Sequence, residues 1–415
     1  MLFRLAWQSL LNRWLTVGLT VFAVALSVAL FLGVEKVRTG AKASFANTIS
    51  GTDLIVGARS GGVQLLLYSV FRVGNATNNI TWESYQDIAA REDVDWIVPL
   101  SLGDSHRGFR VLGTSQEFFD RYRFRGGREI TFDAGARFDD LFDAVVGSQV
   151  ARALGYDLDQ EIIVSHGIAS FTDHDDKPFR ISGILAPTGT PVDRTVFVSL
   201  EAIEAIHIDW QGGGRSANTI SADEVRGMVL EPNAVTAAMV GVQSKLQIFA
   251  LQRWVNEYPE EPLLAILPGV ALGELWDIIG VAETALIAVS ALVVVTALLG
   301  MVAMIFSGLN ERRREMAILR AVGAGPGTIL ALLIVEAFFM SLAAIILGLG
   351  LLYTGLLVLR GYIDGAFGLY LELGPPTGRE WAMLALVVFL GTLVSLAPAV
   401  RAYRMSLADG MQVRS

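Results

Sequence analysis

Four apolar segments of this 415-residue chain are each long enough to cross a lipid bilayer. They cover residues 15–34, 284–306, 328–349 (with apolar sequence continuing to 359) and 381–396, and a bilayer core requires about 20 apolar residues per helix. Only 18% of the residues are charged, against about 25% in a typical soluble domain. The sequence therefore predicts an α-helical membrane protein with four transmembrane helices and a large domain inserted between the first and second spans.

The inserted region, residues 39–280, mixes strand and helix patterns. β-rich runs bounded by turn residues predict strands at 53–57, 94–100, 109–112, 161–164, 179–185 and 195–198. Helical periodicity interrupts them at 82–90, 117–122, 147–154 and 200–206. This mixture indicates an α+β domain. Residues 35–48 and 234–258 also alternate with helical spacing, which predicts helical stalks at both ends of the domain.

The arginines near the span ends set the expected orientation, because Arg and Lys flanking a span favour the cytoplasmic side. They group before the first span, between the second and third, and after the fourth, at Arg4, Arg13, Arg312, Arg313, Arg314, Arg320, Arg401, Arg404 and Arg414. Lys36, Arg38 and Lys42 argue for the opposite orientation, although Glu35 lies among them. The larger clusters place the inserted domain outside the cytoplasm. The chain is also acidic, with net charge −9, and we expect no nucleic-acid partner.

Residues 311–324 form a charged, helix-forming insert between the second and third spans. Its Arg and Glu residues cannot enter lipid, while Ile318 and Val322 contribute to an apolar side. The segment 323–327, with Pro326 inside it, should end the helix. The pattern predicts a short basic helix at the membrane surface; the alternative is a solvated loop whose arginines only fix orientation.

This insert resembles the cytoplasmic coupling helix in permease subunits of the MacB, LolC/LolE and FtsX (mechanotransmission) group of ABC transporters. A run of the form Arg-Arg-Glu-x-x-x-Leu-Arg-Ala-x-Gly-Ala is typical of that group. After Arg312 and Arg313, the chain matches it at Arg314, Glu315, Leu319, Arg320, Ala321, Gly323 and Ala324. The order of residues 145–155, 179–185 and 196–200 is likewise similar to the periplasmic domain of the group.

The resemblance implies a domain layout along the chain. An interfacial cytoplasmic helix would cover residues 1–14, transmembrane helix 1 residues 15–38, a MacB-like periplasmic α+β domain residues 39–280, and an FtsX-like domain residues 281–415 with its coupling helix at 310–324. The protein would then be a multi-pass protein of the bacterial inner membrane, with its large domain in the periplasm.

The resemblance also implies a function, that of an ABC-transporter permease. The chain has no Gly-x-x-x-x-Gly-Lys-Ser/Thr loop, so it is not expected to be an enzyme. ATP and Mg would bind to a separate ATPase subunit present in two copies. Further expected partners are a second permease copy or a homologous permease, a periplasmic protein or lipoprotein, and the lipid membrane. The expected cargo class is lipid, lipoprotein, peptide or metal-related; the alternative is an FtsX-like signalling scaffold that activates an extracytoplasmic protein without transport.

Two further groups of residues are candidates for specific roles. The first is an apolar run in a Gly-rich setting, which is either ordinary core or an exposed surface for a substrate or partner: Leu65, Leu66, Leu67, Tyr68 and Phe71. The second is a pair of acidic residues in or at the edge of spans, Glu283 and Glu336. Because charge inside a membrane is costly, we expect these two to pack or hinge between helices or to reach solvent.

The histidines of the inserted region suggest one more kind of site, since two of them stand among carboxylates. Imidazole and carboxylate groups together are suitable ligands for a divalent metal such as zinc. The candidate ligands are His166, Asp173, His174, Asp175, His207 and Asp209. Their spacing matches no standard zinc pattern, and an Asp-rich turn is equally consistent with a solvated loop. The chain has no cysteine, which excludes thiolate sites and disulfides.

Overall fold

The computed structural model describes residues 8, 10–11, 13–167, 174–211, 214–215, 220–311, 318, 320–367 and 373–404. It contains two compact units. The membrane unit comprises Met1–Gly40, Gly280–Gly361 and Leu371–Ser415, and the inserted domain comprises Ala41–Ile279 with Tyr362–Tyr370.

Within the described residues, four helices are long and apolar enough to span a membrane, which confirms the four predicted spans. The spanning portions are Trp14–Ala46, Pro268–Leu309, Pro326–Ile363 and Gly378–Tyr403. The complete helices are α1 (Trp14–Thr48), α9 (Pro268–Glu311), α10 (Pro326–Phe367), α11 (Gly378–Val394) and α12 (Leu396–Arg404). Pro326 lies at the first position of α10, where its missing N–H costs no hydrogen bond.

The inserted domain is α+β, as predicted. Its helices are α2 (Gly62–Ser69), α3 (Trp82–Ala89), α4 (Glu117–Arg121), α5 (Ser148–Leu154), α6 (Leu200–His207), α7 (Ala222–Arg226) and α8 (Ile248–Asn256). The strands of its main sheet are β1 (Leu54–Ala58), β3 (Val94–His106), β4 (Phe109–Thr114), β7 (Phe132–Gly135), β8 (Asp143–Val146), β9 (Glu161–Ile162), β10 (Ser165–His166), β11 (Phe179–Leu185), β12 (Thr195–Ser199), β16 (Ala237–Val242) and β17 (Leu263–Ile266). Short pairs are formed by β2 (Ile80–Thr81) with β15 (Ala234–Val235), β5 (Arg123–Phe124) with β6 (Arg128–Glu129), and β13 (Trp210–Gln211) with β14 (Gly214–Arg215).

The main sheet has the order β17-β1-β16-β3-β4-β12-β8-β11-β7, with β10 on β3 and β9 on β11. Strand β12 runs parallel to β4 and β11 parallel to β8, while the other pairs are antiparallel. Apolar side chains cover both faces: along β16, Ala237 and Met239 belong to one core cluster, and Ala238 and Val240 to another. A strand buried on both faces loses the alternation of apolar and polar residues.

This burial corrects the predicted stalk at residues 234–258. Residues 237–242 form strand β16, whose six residues are all buried, and the only α-helix in that range is the short α8. A continuous apolar run cannot distinguish a buried strand from a helix by periodicity alone. The helix that leads into the second span begins instead at Pro268. The other predicted stalk, residues 35–48, is helical, because α1 continues to Thr48.

The apolar run after Gly62 lies in the core of the inserted domain. It forms helix α2 and the residues that follow it. Leu65 and Leu66 are fully buried, Tyr68 is 2% exposed and Phe71 is 8% exposed, while Leu67 is partly buried against the same cluster. The expectation of an open surface for a substrate or partner is therefore wrong for these residues, because their apolar area is already covered.

Close helix approach organises the membrane unit. Gly348 of α10 lies so near α1 that a Cβ atom would sit 2.8 Å from the carbonyl oxygen of Ala25 and 3.1 Å from Val28. Ala344, one turn earlier, is fully buried. Two small residues four apart let helix backbones pack closely in a membrane, and here they bring α10 against α1.

Candidate functional site

A cluster of three histidines and one aspartate lies in the inserted domain. Asp104, His166, His174 and His207 each offer one ligand atom, and these four atoms lie within 4.8 Å of one another. Such a group is rare on a solvated loop, because imidazole and carboxylate groups converge on one point only when several parts of the fold hold them there.

Sheet pairing brings two members of the cluster together. Strand β10 pairs antiparallel with β3, and the register sets His166 opposite Asp104. The backbone N–H of the third histidine, His174, donates to the carbonyl oxygen of Val164 over 2.9 Å. Backbone contacts of β10 and of the segment before it therefore position both His166 and His174.

The fourth member comes from helix α6. Strand β12 ends at Ser199, whose hydroxyl accepts the Ala202 N–H and caps the helix. The helix then runs to His207 at its C-terminal end, where the helix dipole favours positive charge. The cluster thus joins β3, β10, the residue His174 and the end of α6.

The distances within the cluster are short. The His166 Nδ1 atom lies 3.4 Å from Asp104 Oδ1 and 2.9 Å from His207 Nε2. His207 Nε2 is 3.6 Å from the same Asp104 oxygen. The ring of His174 stands with its centroid 5.1 Å from that of His207. Three elements thus direct polar atoms at a single small volume.

The tautomer of neutral His207 follows from its other contact. Its Nδ1 lies 2.8 Å from the carbonyl oxygen of Ile203, which can only accept a hydrogen bond. In the neutral ring Nδ1 therefore carries the proton and Nε2 is free to act as an acceptor or metal ligand, whereas in the protonated ring Nε2 donates to Asp104. Metal-binding histidines usually have such a carbonyl partner on the second nitrogen.

Burial differs across the cluster, and with it the protonation of its members. The side chain of Asp104 is 4% exposed and that of His166 is 54% exposed. Burial raises the pKa of Asp104, but hydrogen bonds and charge from His166 and His207 lower it further, to about 2. Burial lowers the pKa of His174 to about 4, so this ring is neutral at pH 7. Burial also lowers the pKa of His207, yet Asp104 outweighs it and the net direction is upward.

A buried ion pair lies beside the cluster in sequence. Lys177 Nζ is 2.6 Å from Asp209 Oδ2 and 2.9 Å from Asp176 Oδ2. Lys177 is three residues after His174, and Asp209 is two residues after His207. The pair therefore fastens together the two segments that carry these histidines.

The structure places three of the six ligand candidates from the sequence in the cluster and two outside it. His166, His174 and His207 belong to the cluster. Asp209 does not, because Lys177 and the Ile220 N–H occupy its oxygens, and Asp175 is exposed and outside the cluster. Asp173 lies outside the described residues. Asp104 was missed, since only the pairing of β10 with β3, about sixty residues apart in sequence, reveals it.

The two acidic residues of the membrane unit have different surroundings. Glu283 forms an ion pair with Arg38 at 3.7 Å, so its charge is balanced by a protein group. Glu336 is 6% exposed within α10. Both positions fit packing between helices.

The coupling segment is described only in part. Arg312, Arg313, Arg314, Glu315 and Leu319 lie outside the described residues, whereas Arg320, Ala321, Gly323 and Ala324 are within them. The Val322 N–H donates to the Ile318 carbonyl over 3.0 Å, which makes this one helical turn. Gly323 follows with φ +99°, a left-handed conformation that ends a helix. Ile318 is 63% exposed and Val322 83% exposed, so one face of the turn presents uncovered apolar side chains.

Comparisons with known proteins assign two parts of the chain to known families. Residues 17–252 match the family of MacB-like periplasmic core domains, and residues 287–407 match the FtsX-like permease C-terminal family. Two solved structures are similar to the inserted domain. The periplasmic region of MacB from Actinobacillus actinomycetemcomitans is 9% identical and has a TM-score of 0.34, covering 55% of this chain and 94% of its own. The extracellular domain of the noncanonic ABC-type transporter YknZ from Gram-positive bacteria is 13% identical and has a TM-score of 0.31, covering 52% of this chain and 99% of its own. No curated protein sequence matches the chain.

Proposed function

Since the chain belongs to the MacB- and FtsX-type permeases of ABC transporters, we propose that it transmits the energy of ATP hydrolysis from a separate ATPase subunit to its extracytoplasmic domain. The resulting change of that domain would move a substrate in the periplasm or outer leaflet of a bacterial inner membrane. Following the resemblance, a second permease copy or a homologous permease and two ATPase subunits complete the assembly.

The exposed apolar turn is the observation that supports this proposal most directly. Ile318 and Val322 lie one helical turn apart and expose most of their side chains in a segment that the sequence places at the cytoplasmic surface. Exposed apolar area of this kind is a surface that a partner can cover. The neighbouring arginines match the coupling pattern, so an ATPase subunit is the partner that we propose.

Replacing Arg314 and Glu315 by Ala should uncouple the two subunits. In the purified complex with the partner ATPase, we expect the permease-stimulated ATPase rate to fall at least tenfold. Val322→Asp should weaken co-purification of the ATPase, because a charge then occupies the apolar contact. Thr328→Ala, at an exposed position in the first turn of α10, is the matched control. It should change neither the stimulated ATPase rate nor the co-purification of the ATPase. Normal stimulation in the Arg314/Glu315 double variant would refute the coupling role.

The proposed orientation can be mapped by cysteine labelling, since the native chain has no cysteine background. Gly325→Cys, beside the coupling segment, should react with an impermeant maleimide only after the inner membrane is opened. Asp223→Cys, whose native side chain is 94% exposed in the inserted domain, should react in spheroplasts without opening. Labelling of both positions from the same side would contradict the proposed orientation.

Burial of the Leu65–Phe71 run leaves it unavailable as an open surface for cargo. The alternative function is an FtsX-like scaffold, in which the same motion activates an extracytoplasmic protein. Reconstitution of the permease with its ATPase in liposomes separates the two: ATP-dependent release of a membrane-held substrate indicates transport, whereas activation of a soluble partner without release indicates signalling.

A further inference from the structure

We propose that Asp104, His166, His174 and His207 bind one divalent transition-metal ion, with zinc as the preferred metal, on the extracytoplasmic domain. This inference stands on the geometry of the domain alone and does not depend on coupling to an ATPase.

The donor set fits zinc by number, type and spacing. Three imidazole nitrogens and one carboxylate oxygen supply four ligands, the usual number for Zn²⁺. Zinc bonds of about 2.0–2.2 Å in a tetrahedron place neighbouring ligand atoms about 3.3 Å apart. The two distances from Asp104 Oδ1, 3.4 and 3.6 Å, are close to that value. The His166–His207 contact of 2.9 Å would open by a few tenths of an ångström when an ion enters.

The same chemistry disfavours calcium and magnesium. Calcium and magnesium prefer six or more oxygen ligands, and this site offers mainly nitrogen. A metal cation would also balance the buried Asp104 carboxylate, whose exposed fraction is only 4%.

The site is arranged both to admit an ion and to hold it. His166 is 54% exposed and offers a route from solvent, whereas Asp104 and His174 are buried. The Ile203 carbonyl fixes the His207 ring, and the Lys177–Asp209 ion pair fixes the segments that follow His174 and His207. Outer contacts of this kind orient metal ligands and raise affinity.

Four protein ligands leave no position for the water molecule that a hydrolytic zinc site requires. We therefore infer a structural or regulatory ion. Because the ligands come from β3, β10, the His174 segment and α6, a bound ion would tie separate parts of the domain together. Its presence would then change the stability of the extracytoplasmic domain.

The test is metal titration of the full-length protein in detergent, purified without a polyhistidine tag and stripped with a chelator. Competition against a chromophoric zinc chelator should show one Zn²⁺ per chain with a dissociation constant below 1 μM, a value of the order expected for a four-ligand site. Saturating zinc should raise the melting temperature by several degrees. Cobalt(II) should give the intense visible absorption of a tetrahedral complex rather than the weak absorption of an octahedral one.

Variants assign the binding to these side chains. His166→Ala should weaken zinc binding at least 100-fold and abolish the tetrahedral cobalt spectrum. Because its side chain is largely exposed, the melting temperature of the metal-free protein should not change. His207→Gln should have the same effect on binding. Asp175→Asn, an exposed carboxylate next to His174 and outside the cluster, is the matched control and should bind zinc like the native protein.

Three results would overturn the inference. One is failure of the native protein to bind zinc stoichiometrically, and another is native affinity in His166→Ala. The third is an octahedral cobalt spectrum, which would indicate adventitious binding at surface carboxylates. The melting temperature of the metal-free protein shows whether a variant misfolds. A variant whose metal-free melting temperature falls is replaced by Asp104→Asn, which keeps the shape of the side chain and should still lose tight zinc binding.

Discussion

Lys177→Met should lower the free energy of unfolding of the extracytoplasmic domain by about 3–5 kcal/mol. The Lys177 side chain is 1% exposed and Asp209 is 2% exposed, so the substitution leaves a buried carboxylate without its cation. Thermal melting of the full-length protein in detergent should show a decrease of about 10 °C, since 1 kcal/mol corresponds to roughly 2–4 °C in a domain of this size.

Two variants make this test specific. Arg121→Met removes a cation that pairs with Asp95 at 3.7 Å, where both side chains are well exposed (42% and 52%), and it should cost less than about 1 kcal/mol. The double variant Lys177→Met/Asp209→Leu should recover much of the lost stability, because it removes both buried charges. An unchanged melting temperature in Lys177→Met would show that the pair is not buried as described. The single variant should also weaken zinc binding, because the pair positions His174 and His207.

Gly348→Val should disrupt the membrane unit at a cost of about 3 kcal/mol. The added Cβ would stand 2.8 Å from a backbone oxygen of α1, which cannot rotate away as a side chain can. The two helices must separate, and the close packing between α10 and α1 is lost. We expect a lower melting temperature and less monodisperse protein in fluorescence-detected size-exclusion chromatography.

Gly350→Val is the matched control for this prediction. It lies two residues further along the same helix, and a Cβ atom there would meet no atom within 4 Å. Both substitutions change backbone propensity equally, so the difference between them isolates the packing with α1. Equal behaviour of the two variants would contradict the close approach of α10 and α1.

The membrane spans could be predicted from sequence because a bilayer imposes a local rule. Each span must supply its own apolar length and its own backbone hydrogen bonds, so the information lies within about 20 consecutive residues. Strands such as Phe179–Leu185 were predicted because turn residues bound them and their buried and less buried positions alternate along the chain. The buried strand Ala237–Val242 was not, since burial on both faces removes the alternation that identifies a strand.

The candidate metal site could be predicted only in part. The histidines were visible because this residue type is scarce in the chain and two of them stand among carboxylates. Which carboxylate joins them depends on contacts between residues far apart in sequence. The pairing of β10 with β3 places Asp104 opposite His166, whereas Asp209 forms an ion pair with Lys177. The sequence contains no local signal for either choice.

The cations that follow the first span lie in an ionic network of the membrane unit. Arg38 pairs with Glu35 at 2.8 Å and with Glu283 at 3.7 Å, and Arg379 pairs with Glu35 at 3.2 Å. Lys36 pairs with Glu380 at 3.4 Å. Glu35, Glu283 and Glu380 of α1, α9 and α11 thus balance Lys36 and Arg38, two of the three cations that weighed against the expected orientation.

Glu35 and Glu380 are each only 2% exposed in this network. Separating such partners would leave charges away from water, so these three helices should stay joined near Glu35, Glu283 and Glu380. Any rocking of the helices would then be widest at the opposite end, beside Ile318 and Val322. A force applied beside Ile318 and Val322 would then rotate the three helices about these ion pairs.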